Sequence, residues 1–341
     1  MGQHTKTLVI ALGGNAILQP GQRGAFEEQS ANVDASCASI ARLVDDGCRV
    51  VITHGNGPQV GNILIQNEAA SAEIPPMPMD ACGAESQGLI GYMLERSLDN
   101  RLRCLGREVP VCALLTETEV DPADPAFASP SKPVGPFYSE DRAKALVLEK
   151  GYVMHEDAGR GWRRVVPSPD PKRVVQSEVV RSLLRDGVLV ICSGGGGIPV
   201  ARDDSGAYHG VEAVVDKDLA ASVLAADVGA DVLMMLTDVE KVYLHYRTPG
   251  QTALHRVSVA DMTRYLGEGH FKAGSMGPKV DAGLRFARGG GLAMIAHLQE
   301  IEPALRGETG TWIVPDADRG DGARAWGTRT RSGSPAGVVG G

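Results

Sequence analysis

The stretch Thr7-Leu8-Val9-Ile10-Ala11-Leu12-Gly13-Gly14-Asn15-Ala16 decides how the chain reads, because six apolar or β-branched residues end abruptly in a glycine pair. An unbroken run of this kind reads as a strand buried on both faces, as in a parallel sheet, and the glycines mark a strand-to-helix turn. The pattern returns where Arg49 to Thr53 leads into His54-Gly55-Asn56-Gly57, and where Val188 to Cys192 leads into Ser193 and Gly194 to Gly197. Val109 to Leu115, Val232 to Leu236, Leu292 to Ala296 and Thr311 to Val314 are further strand candidates. Helical periodicity occupies 32–46, 59–70, 85–103, 140–150, 176–186, 218–228 and 279–288. Strands alternating with helices predict an α/β protein: an open three-layer α/β/α sandwich around a mostly parallel sheet.

Two segments break the alternation. Residues 121–171 are dense in proline and predict a small protruding subdomain, built on a few turns and one helix, because a structureless loop of that length is improbable inside a domain. Residues 318–341 hold seven glycines and almost nothing to bury, so a disordered tail is expected there. The remaining 1–317 fit one large domain.

Composition excludes several classes. The chain of 341 residues is 43% hydrophobic and 22% charged, which is ordinary for a globular protein. Its net charge of −8 and lack of a basic run interleaved with aromatics argue against a nucleic-acid surface. No apolar stretch approaches the ~18 residues of a membrane span. The polar start, Met1 to Thr7, does not read as a signal peptide. Six cysteines at 37, 48, 82, 104, 112 and 192 form no C-x-x-C pair, which predicts reduced thiols in a cytoplasmic protein. The eight histidines show no metal-site spacing.

Three glycine-rich turns at strand ends are the main chemical signal. Glycine lets backbone N–H groups approach an anion at a helix N-terminus, and open α/β sheets bind ligands outside the carboxyl ends of their strands. Turns of this kind also need glycine for purely conformational reasons. G-x-x-x-x-G-K-[ST] is absent, and Gly55-x-Gly57-x-x-x-Gly61 is one residue too long for the dinucleotide fingerprint. Cations are the second signal. Only nine of the 34 basic residues are lysine, yet Lys217 and Lys279 fall at predicted helix starts and Lys132 falls in the proline-rich segment. A cation at a helix N-terminus opposes the macrodipole unless an anion sits there.

At these residues the sequence resembles carbamate kinase, a member of the amino acid kinase superfamily. The resemblance runs from about residue 6 to about 315 through Ala11 to Ala16, Thr53 to Asn62, Val120 to Asp124, Lys132 to Pro136, Glu156 to Pro169, Ser193 to Pro199, Gly210 to Asp218 and Gly274 to Lys279, in order. It implies phosphoryl exchange between ATP plus carbamate and ADP plus carbamoyl phosphate, run by a homodimer with Mg²⁺ carried on the nucleotide phosphates, in arginine or other nitrogen catabolism. The N-terminal half would hold carbamate and the moving phosphoryl group, the C-terminal half the nucleotide, with 121–171 as a lid.

Residue by residue, the resemblance makes Gly13, Gly14, Asn15, Gly55, Asn56 and Gly57 a cradle of backbone N–H groups for carbamate and phosphoryl. Lys217 and Lys279 would neutralise phosphoryl oxygens, Asp218 would orient both ammonium groups, and Lys132 would reach in from the lid. Gly195, Gly196, Asp216, Asp238, Met276 and Gly277 would line the nucleotide pocket. Such roles suit phosphoryl transfer, which asks for positioning and charge stabilisation rather than covalent chemistry. Arg160, Trp162, Arg163 and Arg164 read equally as a substrate gate or as packing. The competing readings are another amino acid kinase, acting on glutamate, aspartate or UMP, and a nucleotide or carbamoyl-phosphate sensor without turnover.

Overall fold

The computed structural model describes residues 5–157, 159–272 and 274–318; the predicted tail, apart from Asp318, lies outside them. In chain order the central strands are β1 (Thr7–Leu12), β2 (Arg49–His54), β3 (Val111–Ala113), β4 (Leu189–Ile191), β5 (Val232–Thr237), β6 (Arg256–Ser258), β7 (Leu292–His297) and β8 (Thr311–Val314). They form one sheet in the order β6-β8-β7-β5-β1-β2-β4-β3. Every neighbouring pair is parallel except β7 with β8. The helices are α1 (Phe26–Asp45), α2 (Gly57–Ala70), α3 (Met79–Cys104), α4 (Glu140–Lys150), α5 (Ser177–Arg185), α6 (Lys217–Asp227), α7 (Val259–Gly267), α8 (Met276–Arg288) and α9 (Ile301–Leu305).

Period-two alternation in β1 sorts the three layers. Leu8, Ile10 and Leu12 join a core with Ile40 of α1, Leu94 of α3 and Ile301 of α9. Val9 and Ala11 face the opposite core, with Val180 of α5, Leu224 of α6, Met262 of α7 and Leu284 of α8. This is the expected α/β/α sandwich around a mostly parallel sheet. Because β1, β2, β4 and β5 run parallel and adjacent, their carboxyl ends open on one edge, and so do the turns that follow them.

Several features were not legible, helices α7 and α9 among them. Edge strand β6 has three residues, too few for a periodic signal. Helix α1 starts at Phe26 instead of Asn32, since Glu28 turns back to accept N–H bonds from Gly24 and Ala25 and so caps a polar first turn that reads as loop. The protrusion differs most. Besides α4 it holds a three-stranded antiparallel sheet, in which Trp162–Val166 lies between Lys132–Tyr138 and Val153–Glu156. The expectation of a few turns and one helix missed these strands because Pro133 and Pro136 mask one of them. Proline is tolerated there since the strand is at the edge, with a register shift between Val134 and Tyr138. The excursion leaves after strand Glu117–Val120 and returns into Pro171–Val174, which pair antiparallel in a separate four-stranded sheet.

Candidate active site

The parallel carboxyl ends floor a cleft of about 810 Å³, which the protrusion overhangs. Gly13, Gly14, Asn15, Gly55, Asn56, Gly57, Lys132, Gly195, Asp216, Lys217, Asp218 and Lys279 all line it. Gly196, Asp238, Met276 and Gly277 do not. Met276 is turned against the apolar core under α8, and Asp238 is an exposed residue just past β5, bonded to Thr237. Gly277 lets the backbone pass close to the carbonyl of Lys272, 2.9 Å from where a Cβ would stand.

The cradle is narrower than six backbone N–H groups. Gly13 donates its N–H to Leu236 O at 3.2 Å and Gly55 donates to Leu12 O at 3.0 Å, so both serve the sheet's continuation. Gly14 and Asn15 open a 3₁₀ turn and Gly57 opens α2, positions whose N–H groups have no acceptor within their own helix. Asn56, just before α2, donates from its side-chain amide to Ser86 Oγ of α3 at 2.8 Å. Gly195, at φ +65°, makes room for that amide, which lies 2.2 Å from where a Cβ at 195 would stand. The Gly194 to Gly197 turn is therefore largely a seat for its neighbours.

The lysines come from two helix N-termini and one strand. Lys217 opens α6 and Lys279 lies in the first turn of α8. Both bond the same carboxylate: Lys217 Nζ lies 2.5 Å from Asp218 Oδ1 and Lys279 Nζ 2.8 Å from Asp218 Oδ2. Asp218 is 3% exposed. Its burial alone would raise its pKa, but the two ammonium groups outweigh burial and hold it down at about 2. Burial pulls Lys217 below the ordinary lysine value, against the pull of Asp218. Two cations thus share one anion at two helix N-termini, leaving an unbalanced positive charge where N–H dipoles already favour an anion. Lys132 Nζ reaches across from the protrusion to Asp216 Oδ2 at 3.0 Å.

His54, at the end of β2, is fully buried beside Lys217. Burial lowers its pKa to about 4, and the neutral ring sits with Nδ1 2.9 Å from the Gly55 carbonyl. The arginine-rich stretch divides by strand alternation. Arg160 and Arg163 line the cleft, each with its guanidinium 5.1 Å from the Phe137 ring centre and each paired with Asp157. Trp162 packs into the protrusion's own core, and Arg164 stacks on Tyr152 and pairs with Glu212. Phe137 carried no signal in the sequence; its role depends on a register that proline obscured.

A fold of this kind with an anion cleft at its carboxyl edge defines a class, and the model of the amino acid kinase family matches residues 6–296; the chain belongs to that family. Within it the near relatives are carbamate kinases. The chain is 54% identical to carbamate kinase of Pyrococcus horikoshii over 90% of this chain and 99% of that one. It is 50% identical to carbamate kinase of Trichomonas vaginalis over 91% of this chain and 99% of the other. Carbamate kinase from Giardia lamblia bound to AMP-PNP superposes with a TM-score of 0.87 at 44% identity, covering 92% of this chain and 99% of that one.

Proposed function

We propose that the chain transfers a phosphoryl group reversibly between ATP and carbamate, giving ADP and carbamoyl phosphate. In the forward direction a carbamate oxygen attacks the γ-phosphorus as its bond to the β–γ bridging oxygen breaks. The observation that carries this reading is the Lys217–Asp218–Lys279 triad on two facing helix N-termini in the cleft. Its two ammonium groups neutralise charge on the equatorial and bridging oxygens, where phosphoryl transfer needs it. A lysine point charge follows an oxygen that moves along the reaction line better than a rigid guanidinium fork. Gly14, Asn15 and Gly57 offer N–H groups to carbamate and phosphoryl. Lys132 closes the cage from the protrusion, which acts as a lid.

The nucleotide goes to the C-terminal half beside Gly195. Of the other residues the resemblance gives it, Gly196, Asp238, Met276 and Gly277 lie off the cleft lining and Asp216 is engaged by Lys132 and the α6 cap. Among the described residues no group of three His, Cys, Asp or Glu side chains could hold a metal ion, and Asp216 and Asp218 are engaged by lysines. Mg²⁺ would arrive on the nucleotide phosphates and neutralise their oxygens there. A homodimer is supported by the sheet edge at β3, where Tyr92 and Leu115 are half exposed beside a groove of about 700 Å³. Six free thiols suit a reducing cytoplasm, and carbamoyl phosphate from arginine or other nitrogen catabolism is the natural source of ATP by the reverse reaction.

Incubation with ADP, Mg²⁺ and carbamoyl phosphate should yield ATP well above a control without enzyme. Phosphorylation of glutamate, aspartate or UMP by ATP should be negligible. ATP formation no faster than the control, with nucleotide bound, would make the protein a sensor instead.

A further inference from the structure

Asp216 spends its two carboxylate oxygens on different parts of the molecule. Oδ1 accepts the backbone N–H groups of Asp218 at 2.9 Å and Leu219 at 3.4 Å, which caps α6. Oδ2 accepts Lys132 Nζ from the lid at 3.0 Å. A cap needs one oxygen and no charge, and serine or asparagine serves nearly as well. A bare carboxylate lining an anion cleft would repel phosphate, so its charge requires a reason, and the only cation bonded to it among the described residues is Lys132.

Among the described residues, the lid meets acids of the domain body at two other places. Tyr138 and Arg142 bond Glu68 of α2, and Arg164 bonds Glu212. Those contacts border a separate small cavity behind the lid, which neither Lys132 nor Asp216 lines. The Lys132–Asp216 pair is thus the lid's charged contact inside the cleft, and it touches the backbone of the residue that orients the other two lysines.

Resting on the carbamate kinase reading, we infer that Asp216 is a positioning residue: it holds the lid's Lys132 at the N-terminus of α6, one short swing from the phosphoryl oxygens. The pair is neutral without substrate, so Lys132 itself is not left as a loose cation. When phosphoryl oxygens arrive, the ammonium group turns to them from a place already set, which lowers the ordering cost of binding. The effect therefore falls on the phosphorylated carbamoyl substrate and not on the nucleotide.

Asp216→Asn and Asp216→Ser keep the cap and remove the charge. Each should raise KM for carbamoyl phosphate about fivefold, as expected for loss of a partly exposed charge pair, with a smaller fall in kcat and unchanged KM for ADP. In a Lys132→Ala background, Asp216→Asn should change KM less than about twofold, because contacting residues are not additive. An equal effect in both backgrounds, an effect confined to ADP, or wild-type KM in both single variants would overturn the assignment. Hydrogen exchange of 132–138 in the ligand-free protein supplies a readout without turnover. It should quicken in Asp216→Asn and in Lys132→Ala, and no further in the double variant; unchanged exchange in the single variants would count against the pair. Coupled exchange in a protein that makes no ATP would leave the pair standing and end the carbamate kinase reading.

Discussion

The fixed wall of the cleft and its lid hold their lysines in different ways. On the wall, Lys217 and Lys279 share one buried carboxylate, and their side chains are 15% and 12% exposed. On the lid, Lys132 has a partner of its own and is 34% exposed, on an edge strand interrupted by two prolines. Two ammonium groups on one buried carboxylate under helix N-termini leave a net positive charge, which makes the wall the better candidate for holding an anion. One neutral pair across the cleft, with Lys132 a third exposed, can open and re-form, as the proposed lid would require. The more buried charges therefore sit at helix N-termini against the central sheet, and the more exposed one sits on the edge strand of the excursion.

The largest effect should come from breaking the wall. Lys217→Ala or Lys279→Ala should lower kcat about 10²–10³-fold, as when a preorganised donor to a developing negative charge is removed, with circular dichroism unchanged. Measured in the ATP-forming direction, wild-type turnover in either variant would erase the distinction between wall and lid.

The wall was also the more legible half. Runs such as Thr7–Leu12 and Val232–Thr237 are continuously apolar because helices cover both sheet faces, and that burial writes itself into sequence. Lys217 and Lys279 stood out because a cation at a helix start runs against the dipole. The lid left a poorer record. Its strands are half covered, and one of them is broken by Pro133 and Pro136, so period two did not mark them. The alternation that sends Arg163 to the cleft and Arg164 away from it became visible only once the register of Trp162–Val166 was known. The cradle shows a subtler limit: sequence identifies glycine turns, but whether an N–H faces a ligand or a sheet carbonyl, as at Gly13 and Gly55, is decided by strands far away in the chain.

Acid should sharpen the comparison next. Asp218 holds a folded pKa of about 2 against roughly 3.9 in an unfolded chain. The charged carboxylate therefore contributes stability that is fully present above pH ~4 and is lost as pH falls toward 2. Asp218→Asn, which leaves two buried ammonium groups together, should have a lower urea midpoint than wild type at pH 7. That gap should narrow as titration proceeds below pH 4. A gap of constant size between pH 7 and pH 3 would mean that the carboxylate charge does not hold the wall together.

Lys132→Ala tests the lid, and the smallest effect is expected there. The side chain is a third exposed, so water competes for its ammonium group and the loss should be about tenfold in kcat/KM, near the lower end for a hydrogen bond to a charged group. Its form matters more than its size. If the excursion closes on substrate as proposed, Lys132 contributes mostly to binding, so the loss should appear chiefly as a raised KM for carbamoyl phosphate. The wall variants should show theirs chiefly in kcat. Lys132→Arg should recover little, because a planar fork matches neither the single Asp216 oxygen nor a moving phosphoryl oxygen as a compact ammonium does. A kcat loss in Lys132→Ala as deep as that of Lys279→Ala would place Lys132 with the wall, as a third fixed charge on the transition state, and the lid would then have to be closed and rigid during the chemical step.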